Sequence, residues 1–177
     1  MIDYRIKATG NFTGKIGELV SMLEHTRAIT IDEIKKLTEF DLDYLVDEGS
    51  NSIGSLLLHI ASIEFVHQVI SFEGRDLNEG EFQNWRHALE LGQEGRNTIR
   101  KNDVEYYLNE LSQVRNQTLS QLKKHGDDWL YEEKQWANGI PYNNYYLWFH
   151  VFEDEISHRG QIRTIKRLLS KNKYWNK

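Results

Sequence analysis

Asp154 and His158 stand four residues apart in a stretch of helical apolar periodicity. With the stripe direction set by Leu147 and Ile165, the helical repeat puts Asp154 about 20° to one side and His158 about 20° to the other. A charged group in a buried stripe must be paired, hydrogen-bonded or metal-bound, because stripping its water costs several kcal/mol. Donors one turn apart can present ligand atoms to a single cation, as paired histidines do in helical zinc motifs. A buried Asp–His ion pair would satisfy the same pattern without a metal. His150 lies about 60° off, at the margin of the stripe. An upstream segment adds His59 and His67. Relative to Leu56, His67 is nearly central and His59 about 60° to one side, so periodicity favours His67. The two are about 12 Å apart along the axis, too far to share one ion with ease.

A competing pattern is Glu64-Phe-Val-His67 with Glu155-Ile-Ser-His158, both Glu-x-x-His. That is the spacing of ferritin-like di-iron bundles, which also need an inward glutamate from each remaining helix. Glu24 lies at the edge of its stripe, but Glu105 and Glu110 face away, so this site is one ligand short. His25 falls opposite its stripe and reads as solvated. His87 and His125 lie in or next to loops.

Four amphipathic segments must position these residues. The first runs from Asn11 to Ala28, with Phe12, Ile16, Leu19, Val20 and Leu23 inward. Thr30-Ile-Asp-Glu33 has the form of a capping box and predicts a short helix after it. The second runs from Ser52 to Phe72, bounded by Gly49-Ser50-Asn51 and Gly74. A polar stretch from Arg75 to Arg100 predicts short helices and loops. The third begins near Asn102, capped by Asn102-Asp-Val-Glu105, and ends before Gly126. Asp127 to Pro141 reads as irregular, with a turn at Asn138-Gly139. The fourth runs from Asn143 to Ser170. Arg115 sits at the margin of the third stripe and reads as an arginine snorkelling at the bundle edge. The aromatic run Trp136, Tyr142, Tyr145, Tyr146, Trp148 and Phe149 reads as core packing by default, or else as the wall of a pocket or a dimer contact.

The chain has 177 residues, of which 22 are Lys or Arg and 27 Asp or Glu, giving a formal charge of −5. That balance argues against a general nucleic-acid binder. With no cysteine there are no disulfides, thiolate zinc sites or cysteine nucleophiles, which fits a reducing, cytoplasmic setting. The opening MIDYRIKATGNF lacks the apolar core of a signal peptide. No apolar run approaches the roughly 20 residues of a membrane span. A single proline and the four long segments predict an all-α four-helix bundle, one domain over residues 1–177.

Leu56-Leu-Leu-His59-Ile-Ala-Ser-Ile-Glu64, followed by Asp154-Glu-Ile-Ser-His158-Arg159-Gly160-Gln161, resembles the DinB/YfiT-like superfamily. Chain length and helix order match as well. The resemblance implies an up-down-down-up bundle with short extra helices in its connections, a homodimer, and one divalent metal near one end. Carried over residue by residue, it makes His59, Asp154 and His158 the ligands, with His150 and His67 as alternatives. His59 thereby displaces His67, and Asp154 stands where the family usually has histidine. Such a set suits zinc or nickel first, then manganese or iron(II), and leaves coordination positions open. The implied activity is a small-molecule thiol S-transferase, which conjugates a low-molecular-weight thiol to an electrophile, or a metal-assisted hydrolase. Gln161 and Glu64 are candidate assistants, Glu64 as partner to a histidine. Gly160 is expected to let a neighbouring helix approach behind His158. Two other readings stand beside this one: a non-catalytic dimeric bundle with a buried Asp/His network, and ferritin-like di-iron oxidation.

Overall fold

The computed structural model describes residues 2–175. Its long helices are α1 (Gly14–Ile34), α3 (Ile53–Gln68), α6 (Val104–Leu122) and α7 (Asn144–Trp175); α2 (Glu39–Asp43), α4 (Glu79–Glu90) and α5 (Gly92–Thr98) lie in the connections. Side chains close the helix ends where the sequence supplies them. Ser52 accepts from Ser55 N at the start of α3, and Asp103 accepts from Tyr106 N at the start of α6. The cap of α6 is thus Asp103 rather than Asn102. At α1 the cap comes from far away: the Asp127 carboxylate accepts from the backbone N–H of Lys15 and Ile16.

Directions around the bundle follow from side-chain pairings. Arg27 meets Glu155 and Glu33 meets Lys166, so α1 and α7 run parallel. Arg27 bonds Leu111 O and Arg115 bonds Leu23 O, so α6 runs against α1. Glu64 meets Arg115 while Gln68 meets Thr118, so α3 runs with α6. The order is up, down, down, up, as the resemblance implied. Helix α3 packs against both α6 and α7, and α1 packs mainly on α7. Gly54 of α3 has no room for a side chain, because the Tyr107 ring of α6 fills the place of a Cβ.

Several expectations change. Thr30 starts no helix: α1 continues through it to Ile34, and the Thr30 hydroxyl donates to Thr26 O. The inward face runs on to fully buried Ile34, and that burial outweighs the local capping signal. A capping box does open the next short helix, at Thr38 and Asp41. Residues Val69–Glu73 extend α3 as a π-helical turn. The stretch read as irregular holds a 3₁₀ turn, Asp127–Tyr131, and a two-stranded antiparallel hairpin, Glu133–Gln135 with Pro141–Asn143. The expected turn sits at its tip, where Gly139 has φ 80°. Ile53–Glu73 is, against expectation, long and apolar enough by composition to cross a membrane; most of it is buried within the bundle, which makes it the central helix of the fold. The aromatic run divides: Trp148 is fully buried and packs on Phe72, whereas Tyr146 and Phe149 face outward.

The buried apolar residues form two clusters. One contains Leu56, Ile60, Leu111 and Ile162; the other contains Leu19, Leu23, Leu122 and Val151. Every long helix also buries charge: Arg27, Glu64 and Arg115 from the first three, and Glu155 with Arg159 from α7.

Candidate metal centre

His59 projects from α3, and Asp154 and His158 from the antiparallel α7. Asp154 Oδ1 lies 3.3 Å from His158 Nε2 and 4.0 Å from His59 Nε2. The imidazole rings meet edge to face, their centroids 4.7 Å apart. One ligand atom from each of the three residues lies within 4.8 Å of the others. Donors about 2.0–2.2 Å from one ion stand at most about 4.3 Å apart. Small side-chain rotations therefore close the set around a cation.

The surroundings suit such an ion. His59 Nδ1 lies 2.8 Å from Ala88 O, a carbonyl on α4. The Nδ1–H donates there and leaves the Nε2 lone pair aimed at Asp154. Burial pushes His59 below its ordinary pKa, against the raising effects of the Ala88 bond and Asp154. The ring is therefore neutral near pH 7, as a ligand must be. The Gln161 amide lies 3.2 Å from His158 Nδ1. With its oxygen turned to the ring it accepts Nδ1–H and frees His158 Nε2. Asp154 Oδ2 is buried and has no hydrogen-bond partner among the described residues. An orphaned carboxylate oxygen costs about 1–3 kcal/mol or more, a cost that a cation at the site relieves.

The other histidines stand apart from this cluster. His67 is buried, and its Nδ1–H donates to Ile63 O over 2.7 Å. Burial lowers its pKa to about 4. Its ring neighbours that of His150, which stacks on Tyr146 and lies 3.3 Å from Glu153. Periodicity pointed to His67 because it assumes one inward direction. Leu56, Leu57, Leu58, Ile60 and Ala61 are all buried, so α3 has no single inward stripe. His25 is half-buried against Tyr4 and Asp3 O rather than solvated. His87 lies on α4, 3.7 Å from Glu94, and His125 stacks on Trp129.

Glu64 makes no hydrogen bond to a histidine. It is fully buried and accepts from Arg115, Arg27 and Thr118. Burial would raise its pKa, but Arg115 and Arg27 together hold it down at about 2. Arg115 does not snorkel: it is 4% exposed and also bonds Leu23 O and Glu24. Glu155 completes the ring, accepting from Arg27 Nε at 3.1 Å. The carboxylates of both Glu-x-x-His motifs are thus neutralised by guanidinium groups, which removes the di-iron reading. The signal for this ring was present in the sequence, since Arg27 follows Leu23 and Val20 on the inward face of α1. Ala88 carried no such signal, because a backbone carbonyl can belong to any residue.

No helix among the described residues comes close to Gly160. A Cβ built there would meet no atom within 4 Å, so the expected approach behind His158 is absent.

A family model described as mycothiol-S-transferase matches residues 18–170. Among solved structures, a conserved protein from Enterococcus faecalis is similar with a TM-score of 0.65 and 15% identity, covering 85% of this chain and 94% of that one. A protein from Streptococcus pneumoniae is similar with a TM-score of 0.66 and 17% identity, covering 95% of this chain and 94% of that one. At such identities they show a shared fold. No match is found among curated proteins. Matched over most of its length, the chain belongs to the mycothiol-S-transferase family of the DinB/YfiT-like superfamily.

Proposed function

We propose that this protein is a divalent-metal-dependent thiol S-transferase whose ion is held by His59, Asp154 and His158. The observation that carries the reading is the convergence of these donors from two antiparallel helices, one ligand atom from each within 4.8 Å of the others, on a carboxylate whose Oδ2 is buried and unpartnered among the described residues. Family membership supports a low-molecular-weight thiol as substrate, in preference to hydrolysis by water. Zinc or nickel fits two imidazoles and one carboxylate, with manganese or iron(II) next.

A bound divalent ion would lower the pKa of a thiol reaching an open position, so that thiolate is available at neutral pH. The residues themselves do the rest. His59 is aimed by Ala88 O, and His158 is steadied by Gln161. Asp154 supplies the negative charge that partly balances a dication. Three side-chain donors would leave such an ion able to take a reactant as well. In the overall transfer the thiol loses its proton to solvent, and its sulfur forms the bond to the electrophilic carbon as the leaving group departs with the electron pair of the bond that breaks.

Metal analysis of untagged protein tests the reading. Wild type is expected to take up one ion per chain, Asp154→Ala and His158→Ala to lose stoichiometric uptake, and Asp154→His to keep it. Conjugation of monochlorobimane to mycothiol, glutathione or cysteine should follow metal content across the series. Full uptake by both alanine variants would remove the proposed ligand set. A wild type that takes up none of zinc, nickel and manganese would leave a scaffold with a buried Asp/His network.

A further inference from the structure

We infer that the cavity between α4, the end of α5 and α6 is a second ligand site, and that it takes an organic cation, an ammonium group carried on an apolar body. The cavity has a volume of about 410 Å³. Its floor is apolar, made by the nearly closed side chains of Leu58, Ala88 and Ile99. Its open sides carry Trp85 from α4 and, one turn apart on α6, Tyr106 and Glu110. None of these residues is a candidate metal ligand, so the site stands apart from the S-transferase reading. Ala88 links the two places, since its carbonyl accepts from His59.

Three observations give the chemistry of the occupant. Glu110 is half-buried, lines the cavity, and has no hydrogen bond or ion pair among the described residues. No lysine or arginine lines the cavity, so this carboxylate leaves it with an uncompensated negative charge. The neighbouring Arg86 and His87 turn toward Glu94 instead, at 3.5 Å and 3.7 Å. An anion is repelled here, and a neutral ligand leaves the charge unanswered.

The second observation is the aromatic surface beside that charge. Trp85 and Tyr106 both keep part of their rings open, and Trp85 is steadied by stacking on Phe65, the centroids 5.6 Å apart. Burial, with the Glu110 charge adding to it, raises the Tyr106 phenol above its ordinary pKa, so the ring is uncharged at neutral pH. Aromatic faces next to a carboxylate attract a diffuse organic cation. A metal dication asks for several oxygen donors close together, and Glu110 is the one carboxylate among the lining residues. The third observation is that the wall is fixed in advance. Leu91 and Lys101 bracket the segment that supplies Thr98 and Ile99, and their φ angles are 53° and 62°. Residues with side chains stay in that region only where the surrounding structure holds them there. A Cβ at Gly95 would lie 2.8 Å from His87 O, so α5 is seated directly against α4.

Choline is a suitable probe, because its quaternary nitrogen has no lone pair to offer a metal at His59, Asp154 and His158. Its neutral isostere is the dimethylbutanol in which carbon replaces that nitrogen. Each is titrated into the full chain while backbone amide and indole N–H shifts are followed. Choline should shift the Trp85 indole and the amides of Asn84, Tyr106 and Glu110. It should bind about tenfold or more tighter than the alcohol, a difference of about 1.4 kcal/mol. Glu110→Gln should weaken choline by a similar factor and leave the alcohol unchanged. Glu105→Gln removes an exposed carboxylate of the same helix that lies outside the cavity, and should change neither. Equal affinity for the two probes in wild type would overturn the inference without any variant. Choline shifts confined to other regions, or wild-type choline affinity in Glu110→Gln, would overturn it too. Equal weakening of choline by Glu105→Gln and Glu110→Gln would assign the effect to the general charge of the surface, with the same consequence.

Discussion

At the scale of single residues, the protein separates histidines by their second nitrogen. His59 and His67 both donate Nδ1–H to a backbone carbonyl, Ala88 O in one case and Ile63 O in the other. His59 then presents Nε2 to Asp154, whereas His67 shares its surroundings with the His150 ring. His67 carries a consequence for acid stability. Its pKa falls from 6.5 to about 4 on folding because burial disfavours the charged ring. The folded state therefore binds fewer protons than the unfolded state through that interval, and stability present above pH 6.5 is lost as pH falls. The loss from this residue should reach about 2–3 kcal/mol by pH 4.5. Urea unfolding of metal-free protein at pH 7 and pH 4.5 reads it, and His67→Gln should remove most of that difference. Equal acid sensitivity in the variant would contradict the assignment. Glu64, with its pKa near 2, contributes in the same direction only at lower pH.

At the scale of elements, the ring of Arg27, Glu64, Arg115 and Glu155 ties one residue from each long helix into a neutral buried set. Its charges balance, and its remaining donors reach Leu111 O, Leu23 O and Glu24. Desolvation offsets much of the Coulombic gain, so its net worth is small beside the penalty of breaking it. Arg115→Met should leave two carboxylates facing one guanidinium and cost about 3–5 kcal/mol. The double variant Glu64→Leu with Arg115→Met should cost less than the sum of the single changes, with a coupling of about 1 kcal/mol or more. Additive costs in denaturant unfolding would show that the pair is not coupled. Glu155 directly follows Asp154, so its bonds to Arg27 also set the rotation of α7 that turns Asp154 toward His59.

At the scale of the molecule, the candidate ligands bridge α3 and α7, while α4 holds His59 from behind. An ion bound there links elements that are far apart in sequence and absent from one another in the unfolded chain. Zinc at about a hundred times its dissociation constant should add about 2.7 kcal/mol to stability. For a chain of this size that is a rise of about 5–11 °C in melting temperature. Calorimetry with and without zinc measures it, and His158→Ala should show no comparable rise.

Periodicity alone made the four long helices, their order and the inward pairing of Asp154 with His158 legible, because these depend on neighbours along one chain segment. The motif resemblance added the up-down-down-up direction and His59. What only the tertiary structure decided are relations across segments. Thr30 stays helical because distant residues cover it, and α3 is buried on several sides because it is the central helix. Glu64 and Arg115 meet in the core because opposite charges from different helices can be buried only together. Gly160, placed by its motif beside His158, borders a groove instead of a packed helix, a distinction carried by the space around the residue and by nothing in its sequence neighbours.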